Sequence, residues 1–111
     1  MNPNKIKITI QHFHGCPNGP RMIDIINELI NIYQDKIEFE EIIIDNNELA
    51  KKYKFRGSPT LLINNIDFEN LPEPENPSIS CRFYPNGLPT VAGIRECIDK
   101  KISEIPDFVD E

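Results

Sequence analysis

Lys52-Tyr53-Lys54-Phe55-Arg56-Gly57-Ser58-Pro59-Thr60-Leu61-Leu62-Ile63 is the stretch on which the fold turns. A turn ending in Gly57-Ser58-Pro59 feeds directly into a short apolar run suited to a β-strand. Just upstream, Asp45, Asn46 and Asn47 offer capping side chains for a short helix whose inward face is Leu49, Ala50 and Tyr53, and which stops within 54–57. Downstream, Asn64-Asn65 suits a tight turn because asparagine tolerates positive φ, and a second short strand is predicted over 66–69. The two strands make a hairpin.

Farther upstream, Ile6, Ile8 and Ile10 alternate with Lys5, Lys7 and Thr9, which predicts a first strand over 5–12. Met22, Ile23, Ile26, Leu29, Ile30 and Tyr33 then recur at helical spacing over about 20–34, with Ile25 and Ile32 widening the stripe. Residues 37–44 begin in alternation and close on Ile42-Ile43-Ile44, which predicts a strand covered on both faces at its later end. Residues 70–89 carry Pro72, Pro74, Pro77, Pro85 and Pro89, half of the ten prolines, so no helix runs there. This is a loop, either functional or mobile, in which a brief extended piece around 80–84 can pair at a sheet edge. Thr90 caps a last helix bearing Ile94, Cys97, Ile98 and Ile102 on one face; Pro106 ends it, and 106–111 form an acidic tail. The order β-α-β-α-β-β-α predicts an α/β fold, a four-stranded mixed sheet flanked by helices, in a single domain over 1–111.

The 111 residues, 39% hydrophobic, suffice for one modest core. A net charge of -6 argues against nucleic acid and anionic membranes as partners, since both require a basic surface. No apolar run approaches the ~20 residues that cross a bilayer, and 1–5 lack the apolar core of a secretory signal, so a cytoplasmic location and no membrane partner are expected. Three widely spaced cysteines do not make a structural disulfide framework; a disulfide here would be functional or transient. A monomer without cofactor is expected.

From 42 to 63 the sequence is similar to thioredoxins: an Ile-Asp pair closes the second strand, Lys-Tyr ends the short helix, and Arg-Gly-x-Pro-Thr-Leu-Leu opens the third strand. Over nearly its full length the chain resembles small thioredoxin-like proteins through Gly15-Cys16-Pro17, Gly57-Ser58-Pro59-Thr60 and Ser80-Cys81-Arg82-Phe83-Tyr84. The resemblance implies a thioredoxin-like fold and thiol–disulfide oxidoreductase chemistry at Cys16 on a protein or low-molecular-weight disulfide. It also implies a cis bond before Pro59 that leaves the Ser58 backbone free to pair with a substrate. Departures accompany the matches. Ile10 and Glu41 stand where thioredoxins have a proton-moving aspartate and lysine, Gly15 replaces an aromatic residue, and Gly19 replaces the second cysteine. The implied site is therefore monothiol, or its resolving cysteine is displaced.

Cys16 is the candidate nucleophile, uncovered at a strand-to-helix turn where helix N–H groups favour a thiolate; the alternative is a small buried hydrophobe. A helix starting at Asn18 or Gly19 would weaken that help. Cys81 is the candidate resolving thiol, provided the loop brings its Cα within about 7 Å of that of Cys16; the alternative is a loop cysteine under the edge strand. Ser58, Pro59 and Pro17 are the candidate substrate contacts, and Cys97 is expected in the core. His12, His14 and Cys16 have a spacing compatible with a soft metal, with Cys81 as a further ligand, but spacing alone is weak and no metal ligand is assigned. Arg56 and Arg82 suit either steering of an anion such as glutathione or plain solvation, while Asp67, Glu69, Glu73 and Glu75 read as solvated charge. The second functional class is a non-catalytic binding module for a partner peptide or a soft metal.

Overall fold

The computed structural model describes residues 5–104. β1 (Ile6–His12) leads into α1 (Asn18–Tyr33), a single 3-10 turn (Gln34–Lys36), β2 (Ile37–Ile43), α2 (Asn47–Tyr53), β3 (Thr60–Ile63), β4 (Ile66–Asp67) and α3 (Val91–Ser103). The sheet order is β2-β1-β3-β4, with β1 and β2 parallel and the other neighbours antiparallel. This is an α/β fold with a four-stranded mixed sheet flanked by helices. Pro106 and the acidic tail lie outside the described residues. Among the described residues, no helix is long and apolar enough to cross a membrane.

β1 is central, and its period-two pattern separates two unlike faces. Ile6, Ile8 and Ile10 are fully buried beneath Met22, Ile26 and Leu29 of α1 and Ile94 and Ile98 of α3. Each such side chain contributes about 1.5–3 kcal/mol by leaving water. Thr9 and Gln11 point to the other face, where α2 has only two turns and builds a small cluster around Ile44, Ala50 and Phe55. The Thr9 hydroxyl and the Gln11 carbonyl oxygen have no hydrogen-bond partner there.

Local chemistry sets the boundaries. The Asn46 side chain accepts from the Leu49 N–H at 2.8 Å, and Lys54 closes α2 in the left-handed region. Thr90 accepts from the Gly93 N–H at 3.0 Å and opens α3. Asn64 and Asn65 both have positive φ, 52° and 68°, as a two-residue hairpin turn between twisted strands requires. Two expectations need correction. The later part of β2 is not covered on both faces: Glu40 and Glu41 are exposed and Ile42 and Ile43 half-buried, because β2 is an edge strand and α2 is too short to cover it. The last strand stops at Asp67 rather than reaching Glu69, because the Asp67 carboxylate accepts the N–H groups of Glu69 (2.9 Å) and Leu71 (3.2 Å) and turns the chain.

Candidate functional site

Cys16 lies in the turn between β1 and α1. Its N–H donates to the Phe13 carbonyl at 3.3 Å and its carbonyl accepts from the Gly19 N–H at 3.2 Å. The helix starts at Asn18 with Pro17 as its cap residue, so Cys16 precedes the cap and draws less on the helix terminus than a capping thiol would. Pro17 is exposed, but Cys16 is 4% exposed, against the expectation of an uncovered thiol.

The proline-rich segment pairs with the chain at this end of the sheet. Its extended piece forms a parallel bridge between Cys81 and Ser58: the Ser58 N–H donates to the Ser80 carbonyl at 2.8 Å, and the Arg82 N–H donates to the Ser58 carbonyl at 2.9 Å. The Ser58–Pro59 peptide is cis. The Ser58 backbone is therefore not free, because the chain's own segment has taken both of its hydrogen bonds. Pro59 is buried as well, and its carbonyl accepts from the Tyr84 hydroxyl. Gly57, at φ 105°, is needed at this crossing, since a Cβ there would lie 2.9 Å from the Arg82 Cβ.

A buried ion pair fastens the same segment. Arg82 reaches under β3 and donates from both terminal nitrogens to Asp67, at 2.5 and 2.9 Å, with the two side chains 5% and 2% exposed. Burial resists ionisation of Asp67, but hydrogen bonds from Arg82 and from the Leu71 and Glu69 N–H groups outweigh it and hold the carboxyl below its usual range. The Arg82 guanidinium carbon stands 4.9 Å from the centre of the Tyr84 ring. Burial drives the Tyr84 phenol well above its usual range; Arg82 opposes this, while the charges of Asp67, Glu69 and Cys16 add to it.

These contacts correct the reading of Arg82 and Asp67 as solvated charge. The missed signal is the alternation along 81–84, in which Cys81 and Phe83 are exposed while Arg82 is buried and Tyr84 half-buried. A charged residue sharing a side with an inward tyrosine needs a buried partner.

Gly19 also has a physical reason. The His12 ring packs against the first turn of α1, and a Cβ at position 19 would lie 2.7 Å from its Nδ1. On its other side, His12 Nε2 is 2.6 Å from Glu41 Oε2. Since a carboxylate only accepts, Nε2 carries the proton. A histidine–glutamate pair therefore fills the space beside the turn, and there is no room for a second cysteine at the usual spacing without moving that ring. His14 is held by Asp45, through its N–H at 3.3 Å and its Nδ1 at 2.7 Å; these bonds, the backbone one foremost, keep the Asp45 carboxyl below its ordinary range. Among the described residues, no three histidine, cysteine, aspartate or glutamate side chains gather as a metal site. Cys97, half-buried, packs against the main core from α3.

Ser58, Pro59, Cys81 and the turn carrying Cys16 thus meet at one end of the sheet. The Ser58 hydroxyl, 3.4 Å from the Phe13 N–H, ties the bridge to that turn. Cys16 and Cys81 are both free thiols, one buried and one exposed.

No family model matches the chain, and no curated protein matches it. Among solved structures it is similar to the germline-specific thioredoxin Deadhead of Drosophila melanogaster, with a TM-score of 0.54 and 18% identity, over 88% of this chain and 82% of that one. At that identity the likeness speaks for architecture alone: the chain has a thioredoxin-like fold.

Proposed function

We propose that the protein is a thiol–disulfide oxidoreductase with a displaced pair of cysteines, Cys81 and Cys16, acting as a single-domain monomer in a reducing compartment such as the cytoplasm. The observation that carries this reading is the bridge that holds exposed Cys81 against Ser58, beside the turn that buries Cys16. Burial reverses the order of attack expected from sequence. The Cys81 thiolate attacks one sulfur of a substrate disulfide, forming a mixed disulfide and releasing the other half as a thiolate. The Cys16 thiolate then attacks the Cys81 sulfur, freeing the second half and leaving a Cys16–Cys81 disulfide, which an external dithiol reduces. Ile79 and Phe83, two residues to either side of Cys81, are also exposed, 38% and 83%, so the thiol sits in an outward row that suits a protein disulfide with apolar neighbours. Ser58, Pro59 and Pro17 frame the site rather than offering free backbone.

Mild oxidation followed by peptide mapping tests the pairing, and should yield a Cys16–Cys81 link. Insulin reduction should disappear in Cys81→Ser, while Cys16→Ser should retain a trapped mixed disulfide on Cys81. Absence of the link together with unchanged turnover in Cys81→Ser would overturn the assignment. The saturated Ser58 backbone and the buried Cys16 favour a second reading, a non-catalytic module for a partner peptide or a soft metal. A protein that reduces no disulfide yet retains a stoichiometric metal or partner supports that reading instead.

A further inference from the structure

Two guanidinium groups share one carboxylate behind the bridge. Both terminal nitrogens of Arg82 are committed to Asp67, whereas Arg56 uses only Nε, donating to the Leu71 carbonyl at 2.8 Å and standing 3.8 Å from Asp67 Oδ2. By formal count the trio carries one surplus positive charge, and Arg56 is the less fully paired of its two cations. Among the described residues, no hydrogen bond engages the terminal nitrogens of that side chain, which is only 13% exposed. Arg56 lines a cleft of about 240 Å³ whose walls are Phe55, Leu71, three prolines of the loop, Asn76, Ser78 and Ser80. Among the described residues no acidic side chain lines it: Glu73 pairs with Lys54 at 3.8 Å, and Glu69 and Glu75 are exposed.

We infer that this cleft binds a small organic carboxylate, with the Arg56 fork on the carboxylate and the acid's apolar body against Phe55, Leu71 and the prolines. A largely desolvated guanidinium whose terminal nitrogens take no hydrogen bond among the described residues matches a carboxylate geometrically, and Asp67, 3.8 Å from Arg56 Nε, is already engaged by both terminal nitrogens of Arg82. A space of about 240 Å³ suits a small acid. One wall comes from Phe55 and Arg56, just after α2, and the other from the proline-rich loop, so the occupant bridges the two. The inference does not depend on the thiol chemistry.

Benzoate and its neutral isostere benzamide are suitable probes, titrated into the full-length protein while backbone amide NMR signals are followed. Benzoate should shift the amides of Phe55, Arg56, Ser78 and Ser80, and benzamide should bind about tenfold more weakly or worse, the loss of one charged hydrogen bond. Arg56→Gln should bring benzoate down to the level of benzamide, and Arg56→Lys, which keeps charge but not the fork, should fall between. Equal binding of both probes by the wild-type protein, shifts confined to other regions, or a preference for inorganic phosphate over benzoate would overturn the inference without requiring any variant to fold. Repeating the titration with Cys81→Ser should leave binding unchanged, so failure of this site and failure of the proposed exchange reaction are read separately.

Discussion

The two cysteine-bearing regions differ in what holds them. The turn around Cys16 is built from contacts close in sequence: Cys16 to Phe13, Gly19 to Cys16, and a helix that starts two residues later. The segment around Cys81 is held by distant groups: Ser58 across a bridge, Asp67 through Arg82, Pro59 through Tyr84, and Asn47, whose side-chain oxygen accepts the Ile79 N–H at 3.2 Å. The locally built thiol is the buried one, and the thiol held by long-range contacts is exposed. The segment bearing Cys81 lies on Ser58, whose hydroxyl meets the turn carrying Cys16, so weakening its fastening should uncover Cys16 while hardly changing Cys81.

The largest effect is expected from Asp67→Asn, which leaves the Arg82 guanidinium buried without its carboxylate. Removing one partner of such a pair costs about 3–5 kcal/mol, measurable by urea unfolding. Alkylation of Cys16 should accelerate sharply while that of Cys81 stays level; equal changes at both would break the distinction between the two regions. Gly19→Cys attacks the comparison from the other side. It restores the dithiol spacing but forces a Cβ to within 2.7 Å of His12 Nδ1, and overpacking of that kind costs about 1–3 kcal/mol. The double variant Gly19→Cys, His12→Ala should recover part of the loss in a thermal melt, and no recovery would show that His12 is not the obstacle. Tyr84→Phe removes the hydroxyl on the Pro59 carbonyl and should cost about 1 kcal/mol, with a smaller rise in Cys16 alkylation than Asp67→Asn produces.

The smallest effects in ordinary buffers should come from pH. The Asp67 carboxyl is held below its ordinary 3.8, so its contribution is present above that value and is lost as pH falls through the lowered folded one. The Tyr84 phenol is held above its ordinary 10.0, so its contribution is present below that value and is lost as pH rises toward the folded one. Amide exchange of residues 80–84 should therefore quicken at both extremes, whereas the Phe13–Gly19 turn, with neither group, should follow only the global stability. Asp67→Asn should remove the acid limb alone.

Elements governed by short-range rules are legible in the sequence. The alternation of Ile6, Ile8 and Ile10, the helical spacing of Met22, Ile26 and Leu29, the caps at Asn46 and Thr90 and the Asn64-Asn65 turn depend on backbone periodicity and on hydrogen bonds spanning a few residues. The segments bearing Cys16, Ser58-Pro59 and Cys81 were singled out by motifs that resemble those of thioredoxin-like proteins. Exposure was not legible, nor was the fate of the charges. Arg82 looks like any surface arginine until the chain brings Asp67 beneath it, and Gly19 looks like a missing cysteine until the His12 ring occupies its space. Sequence by itself determined which strands and helices form and where the thiols fall along them. Only tertiary structure decided which thiol meets solvent and which charges are buried, because accessibility and desolvation depend on groups brought together from far along the chain.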